Sequence, residues 1–490
     1  MVDEVLGTGV SGLDEVLCGG LPRRRIYLLQ GEPGVGKTTL GLQFLIEGVR
    51  RGERGLYVTL SETEEELTAV ATSHGWTLDG FRVHPLSTPE EMFEAQKQNT
   101  LFYPAEVELN ETIDRVMRLV DETRPVRIVF DSLSEMRLLA GESLRYRRQI
   151  LALKQQFAGR NTTVLFLDDK TGNTGDSQLE SLAHGVILLE RVAPEFGAVR
   201  RRLEVVKLRG VDFLSGKHDF AIDRGGLRVF PRLAAAPGRT HYPREVLHSG
   251  VPALDAMLGG GIHRGTSTVL LGPAGTGKSS IAFQYARSAI KRGERVAWFA
   301  FDESLEVFAE RNRNLGLELT PAQRDLLSIR QVDPAELSPG EFAAICRDQV
   351  ERLDARVVVI DSLNGYLMAM PEERFLLLHM HELLTYLGQR GVSTFLPVTQ
   401  HGLVGRMHAP VDMTYLSDCV LLLRFFEAGG RVRKAISVMK RRVGAHEDTI
   451  REFRTMATGI QVGEPLVGFR GVLTGTPEID SAGLSHGGMK

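Results

Sequence analysis

Two stretches of this chain constrain its fold more than any other feature: GEPGVGKT, starting at Gly31, and GPAGTGKS, starting at Gly272. Both spell G-x-x-x-x-G-K-[ST]. Each follows an apolar run that reads as a strand and opens a pattern that reads as a helix, which is the context this motif needs. Gly31, Gly34 and Gly36 let backbone N–H groups turn inward around phosphate oxygens, and the helix N-terminus adds partial positive charge. Lys37 brings an ammonium to the terminal phosphates of ATP, and the Thr38 hydroxyl suits Mg²⁺. Gly272, Gly275, Gly277, Lys278 and Ser279 repeat these roles; Val35, Thr39, Thr276 and Ser280 complete the loops. One such match can arise by chance; two in register inside a longer repeat argue against it.

That repeat is domain-sized. GVSGLDEVLCGGLPR (Gly9 to Arg23) aligns with GVPALDAMLGGGIHR (Gly250 to Arg264), and RGER recurs at Arg51 and Arg292, at the same offset of 241 that separates Lys37 from Lys278. With a slip, FDS at Phe130 matches IDS at Ile360, and KLR (Lys207 to Arg209) matches KRR (Lys440 to Arg442). The repeat predicts domains of 1–235 and 236–490, joined within the Pro/Ala/Gly-rich stretch Pro231 to Glu245. In each copy, uninterrupted apolar runs such as RIYLLQ, LYVTL, RIVFD and TVLFLDD alternate with helical patterns. The expected fold class is α/β: two mostly parallel sheets in tandem, each covered by helices on both faces.

Composition narrows the function classes. The formal net charge of -3 supplies no global basic field for nucleic acid or anionic membrane. Cys18, Cys346 and Cys419 lie far apart with no CxxC pair, so neither a zinc site nor a disulfide framework is suggested. No leader-like N-terminus and no bilayer-length apolar run is read, so a cytoplasmic location is expected.

Three further constellations carry chemistry. Asp131 and Asp361 each end an apolar strand, where a parallel sheet presents residues to its ligand; they suit water-mediated Mg²⁺ binding or, more blandly, capping of the next helix. Glu62 and Glu303 follow the second strand of each copy. They could orient and deprotonate an attacking water or hydroxyl, or serve a helix N-terminus capped by Ser61 or Asp302. KLR and KRR could reach a neighbouring subunit's phosphate, or be solvated basic strand ends. HMHEL (His379 to Leu383) lacks a second histidine at metalloprotease spacing and reads as ordinary helix.

With both copies read, the chain resembles the KaiC family of RecA/DnaB-like ATPases, on the tandem arrangement, SGLDEVLCGG, the acidic step after strand two, KLRG and IREF. The resemblance implies a two-tier homohexamer with ATP between neighbouring subunits, a first-domain ATPase, and a second domain with ATPase and Ser/Thr autokinase activity. It assigns Ser73, Lys207, Leu208 and Arg209 to first-site nucleotide contacts, and Lys440, Arg441, Arg442 and His446 to the second site. It makes Asp302 a catalytic and Mg²⁺-side carboxylate beside Glu303. The family's paired glutamates are here Ser61-Glu62 and Asp302-Glu303; Val211, Phe213 and Val443 also depart from its pattern. The family's phosphorylated pair falls on Thr414-Tyr415, with Thr414 the expected acceptor. The tail LSHGGMK lacks the long segment that recruits a KaiA-type activator; KaiB-like or other signalling proteins remain the implied partners. The rival readings are a DNA-handling motor, for which no helix-hairpin-helix, zinc module or basic aromatic loop is found, and a nucleotide-gated scaffold with little turnover.

Overall fold

The computed structural model describes residues 5–86, 105–140, 143–170, 176–193, 197–233, 242–243, 245–368, 373–400, 402, 414–474 and 478–479. Most of the predicted inter-domain stretch and all of the LSHGGMK tail lie outside them. The chain divides into two compact units, 1–232 and 233–490.

The first unit is built on a nine-stranded sheet: β1 Ile26–Gly31, β2 Gly55–Thr59, β3 Phe81–Pro85, β4 Arg127–Asp131, β5 Thr163–Asp169, β6 Gly185–Val192, β7 Arg200–Leu208, β8 Lys217–Asp223 and β9 Gly226–Phe230. Their order across the sheet is β9-β8-β7-β6-β1-β5-β4-β2-β3. From β6 to β3 the pairings are parallel, as the alternation of strand and helix predicts. β7, β8 and β9 extend the β6 edge as antiparallel hairpins, too closely spaced in sequence for helical crossovers.

The second unit repeats this. Its strands are β10 Ser267–Gly272, β11 Arg295–Ala300, β12 Leu327–Gln331, β13 Ala355–Asp361, β14 Ser393–Thr399, β15 Cys419–Ala428, β16 Arg431–Arg441, β17 Arg451–Met456 and β18 Gly459–Pro465. They run β12-β11-β13-β14-β10-β15-β16-β17-β18.

Strand alternation sends successive side chains to two cores, one on each face of each sheet. On β1, Tyr27 and Leu29 join Leu42, Tyr57, Val129 and Leu167, while Ile26 and Leu28 join Val58, Ile128, Phe130 and Phe166. On β11, Val296 and Trp298 face one core and Ala297 and Phe299 the other. Each large apolar side chain so buried contributes on the order of 1.5–3 kcal/mol. The consequence for function is that β1 and β10 lie mid-sheet, and their C-terminal ends deliver the glycine loops to a rigid edge. Among the described residues, no helix is long and apolar enough to cross a membrane.

Candidate functional site

Each glycine loop ends in a helix N-terminus. Gly36 (φ 114) caps the helix Lys37–Arg50, and Gly277 (φ 107) caps Lys278–Lys291; both occupy the left-handed region that side chains avoid. A Cβ on Gly36 would lie 2.5 Å from Ile222 Cδ1, and one on Gly31 2.7 Å from the Leu189 carbonyl oxygen. Val35 and Thr276 anchor the loops, both fully buried, and the Thr276 hydroxyl donates to the Pro273 carbonyl at 2.9 Å. Thr39 and Ser280 are buried one turn on.

The Walker lysines fold back onto their own loops. Lys37 Nζ donates to the Gly31 and Glu32 carbonyls at 2.9 and 3.0 Å, and Lys278 Nζ to the Gly272 and Pro273 carbonyls, each at 2.8 Å. Burial pushes Lys278 down to about 8. These are loop positions where a phosphate fits; loop carbonyls hold both ammoniums, joined at Lys37 by Asp169, and a phosphate anion competes for each.

The strand-end aspartates converge on the same place. Thr38 Oγ1 donates to Asp131 Oδ2 at 3.1 Å, and Ser279 Oγ to Asp361 Oδ1 at 3.0 Å. Burial raises both carboxyls, Asp361 to about 6. A hydroxyl paired with a buried carboxylate at a phosphate loop is a donor set of hard oxygens, and it fits Mg²⁺. In both copies the peptide following the aspartate is cis.

The acidic steps differ between copies. Glu62 is half-buried, its Oε2 is enclosed without a hydrogen-bond partner, and burial, then Asp131 and Glu66, push its carboxyl up to about 7. Its backbone is fixed by Thr59, whose Oγ1 accepts from Glu62 N at 2.9 Å. Glu303 instead receives both arms of the Arg311 guanidinium, at 2.9 and 2.7 Å. Asp302 is exposed and accepts from the hydroxyl of Ser362, the residue after Asp361. The capping expectation is corrected: the N-caps are Thr63 and Ser304, not Ser61 and Asp302, and they receive the N–H groups of Glu66 and Val307. Thr63 and Ser304 have extended backbones, and their hydroxyls accept from the first turn of the helix, so the preceding acids are not needed as caps.

KLR and KRR lie at the C-terminal ends of β7 and β16, set back along the strands from the glycine loops. Lys207 pairs in register with Val186, level with Leu28 of β1, and Arg441 with Cys419, level with Thr268 of β10. Leu28 is three residues and Thr268 four residues from the first glycine of the copy's own loop, roughly 10–13 Å along the strand. There Lys207 donates to the Glu180 carbonyl and Arg209 to the Ser181 carbonyl at 2.9 Å, while Leu208 is core. Lys440 donates to the Thr414 and Ser417 carbonyls at 2.6 and 2.8 Å, and Arg442 to that of Tyr415. Arg441 is held by the carbonyls of Leu258, Gly261 and Ala445, a structural tie that sets it apart from its neighbours. His446 is exposed nearby. Thr414 and Tyr415 stand in the turn before β15, beside these cations. Ser73 ends the helix Glu64–Ser73 and its hydroxyl donates to Val70 O at 2.7 Å; the adjacent His74 lies 3.5 Å from Thr39 Oγ1. His379 pairs with the Tyr366 hydroxyl at 2.6 Å, and no metal-holding cluster occurs among the described residues.

Sequence reasoning missed four participants. Asp169 reaches Lys37 Nζ at 2.7 Å, the Tyr57 hydroxyl donates to Asp131 at 2.6 Å, and Arg311 and Ser362 hold the second-copy acids. The repeat alignment held a signal for two of them. Tyr57 and Arg311 match Trp298 and Val70 at the 241-residue offset, so each marks a place where the copies diverge in chemistry.

The family model for the KaiC ATPase matches residues 6–234 and again 247–467. Circadian clock protein KaiC3 of Synechocystis sp. is 26% identical over 97% of this chain and 94% of its own. Circadian clock protein KaiC2 of the same organism is 29% identical, over 96% and 84%. The circadian clock oscillator protein KaiC of Parathermosynechococcus lividus is 26% identical, over 96% and 87%.

Proposed function

Because this chain belongs to the KaiC ATPase family, with the family's ATPase domain present twice, we propose that it is an ATP-hydrolysing homohexamer that carries nucleotide between neighbouring subunits, phosphorylates itself on Thr414 in the second ring, and acts as a signalling or timing switch. The observation that carries this reading is that, in both copies, the cations Lys207/Arg209 and Lys440/Arg442 sit three or more strand residues back from their own glycine loop and donate to carbonyls there. Cations so placed complete a neighbour's phosphate site, not their own.

Thr38 with Asp131, and Ser279 with Asp361, would hold Mg²⁺, which would supply charge neutralisation for the terminal phosphates. Lys37 or Lys278 leaves its loop carbonyls for the terminal phosphates. In the first ring Glu62 takes a proton from a water molecule as its oxygen bonds to the γ-phosphorus; the γ-phosphorus–bridging oxygen bond breaks and ADP leaves with the electron pair. In the second ring the Thr414 hydroxyl of one subunit takes the water's place at its neighbour's ATP, with Asp302 or Glu303 accepting the proton. Tyr415 projects its oxygen roughly 6 Å from Cα against about 2.4 Å for threonine, so a pocket fitted to one does not fit the other.

The test couples light-scattering mass with phosphate release and phosphopeptide mass spectrometry after incubation with Mg·ATP. The expected result is an ATP-dependent sixfold mass, phosphate release, and a phosphate on Thr414. Equal mass with ATP, ADP and no nucleotide removes the shared site, and an unmodified Thr414 in an active preparation leaves an ATPase alone.

A further inference from the structure

The two acidic steps are equivalent in sequence and opposite in wiring. Glu62 and Glu303 lie 241 residues apart, and each immediately precedes the N-cap residue of a helix, Glu64–Ser73 and Leu305–Asn314, which match end for end at that offset. Glu62 keeps Oε2 enclosed and unpartnered. Glu303 has both carboxylate oxygens spent on Arg311, in the bidentate geometry that holds a carboxylate most firmly. Arg311 is itself fixed: its side chain is mostly buried, and its guanidinium lies 5.4 Å from the centre of the Phe308 ring. In the first copy that helix position is Val70, which has nothing to pair with Glu62.

We infer that Arg311 is a positioning residue that withholds Glu303 from the reacting water or hydroxyl, leaves proton acceptance in the second site to Asp302, and so concentrates ATP hydrolysis in the first site. A carboxylate accepts a proton from an attacking water only if a lone pair faces it, and both oxygens of Glu303 face a guanidinium. Asp302 is exposed and tied by a single hydroxyl, Ser362, so one of its oxygens stays available. Hydrolysis of ATP in the second ring competes with phosphate transfer to protein, and a restrained base at that site lowers the competing reaction. This inference rests on the proposed ATPase reading and adds a gate to it.

The test uses the full-length chain and a Glu62→Gln background, which silences first-site proton acceptance. Phosphate release is measured with and without Arg311→Val, the residue of the first copy, and with and without Asp302→Asn. Glu62→Gln alone should show slow turnover that Asp302→Asn abolishes. Adding Arg311→Val should raise kcat about tenfold or more, leave KM within about twofold, and make turnover insensitive to Asp302→Asn, because Glu303 takes over. The reciprocal Val70→Arg in the otherwise unaltered chain should cut kcat about tenfold with little change in KM. A fluorescent ATP analogue checks that each variant still binds nucleotide. If Arg311→Val fails to bind, Val70→Arg decides alone. An unchanged or lower kcat in Glu62→Gln/Arg311→Val with binding intact, or an unaffected kcat in Val70→Arg, overturns the inference. A parent chain that releases no phosphate at all sinks the ATPase reading instead, so the two failures are told apart.

Discussion

A carboxylate enclosed without a hydrogen-bond partner costs the fold free energy whenever it is charged, and Glu62 is such a group, pushed up to about 7 from an ordinary 4.5. The sign follows from linkage. Below 4.5 the group is protonated folded and unfolded alike; as pH rises the unfolded chain ionises first, so stability is lost progressively until about 7. Glu62→Gln removes that loss. Its first-domain melting temperature should exceed the parent's by roughly a few degrees at pH 8 and match it near pH 4.5, as followed by calorimetry. The same substitution should lower first-site phosphate release by about 10²-fold or more and erase an ascending limb of the pH–rate profile near neutrality. A second residue-scale effect concerns Lys37, which must leave Asp169 to reach a phosphate. The matching strand position in the second copy is Thr399, level with Gly272 as Asp169 is with Gly31. Asp169→Asn should therefore tighten ATP binding at the first site by about two- to tenfold and leave the second untouched, as read by calorimetric titration.

At the scale of elements, the strands, glycine loops and strand-end aspartates were legible because each is written locally: an apolar run, a fixed glycine spacing, an acid after the run. The acidic steps were legible as positions but not as states. Glu62 and Glu303 look alike in sequence, and what separates them is the residue eight positions further on, in the next helix, Arg311 against Val70. Asp169 was hidden for a related reason. It is the last residue of TVLFLDD, and only parallel pairing of β5 with β1 sets it beside Gly31 and within reach of Lys37. The helix starts were read two residues early because Ser61 and Asp302 are good capping residues; the hydroxyl that caps is Thr63 or Ser304, whose side chain faces the helix. Thr63 forms a full capping box with Glu66, so Thr63→Ala should cost the first domain about 1 kcal/mol in chemical denaturation.

At the scale of the whole molecule, the proposed ring makes each site a joint between two chains, and mixing experiments address that directly. A Lys278→Ala chain cannot serve its own glycine loop, yet its Thr414 should acquire phosphate when mixed with a Thr414→Ala chain whose loop is intact. Neither variant alone should be labelled in radiolabelled phosphate incorporation. Labelling of Lys278→Ala alone would place the donor elsewhere. Glycine loop and basic strand end being displaced from each other along the strands has one more consequence. Such a unit has a head and a tail, and two heads cannot satisfy each other. Self-complementary pairing about a twofold axis is therefore unproductive, and a chain of these units closes only by going round. A circle built this way has a sense of rotation, clockwise or anticlockwise seen from one tier, so any influence that one nucleotide exerts on the next has a direction before it has a cause.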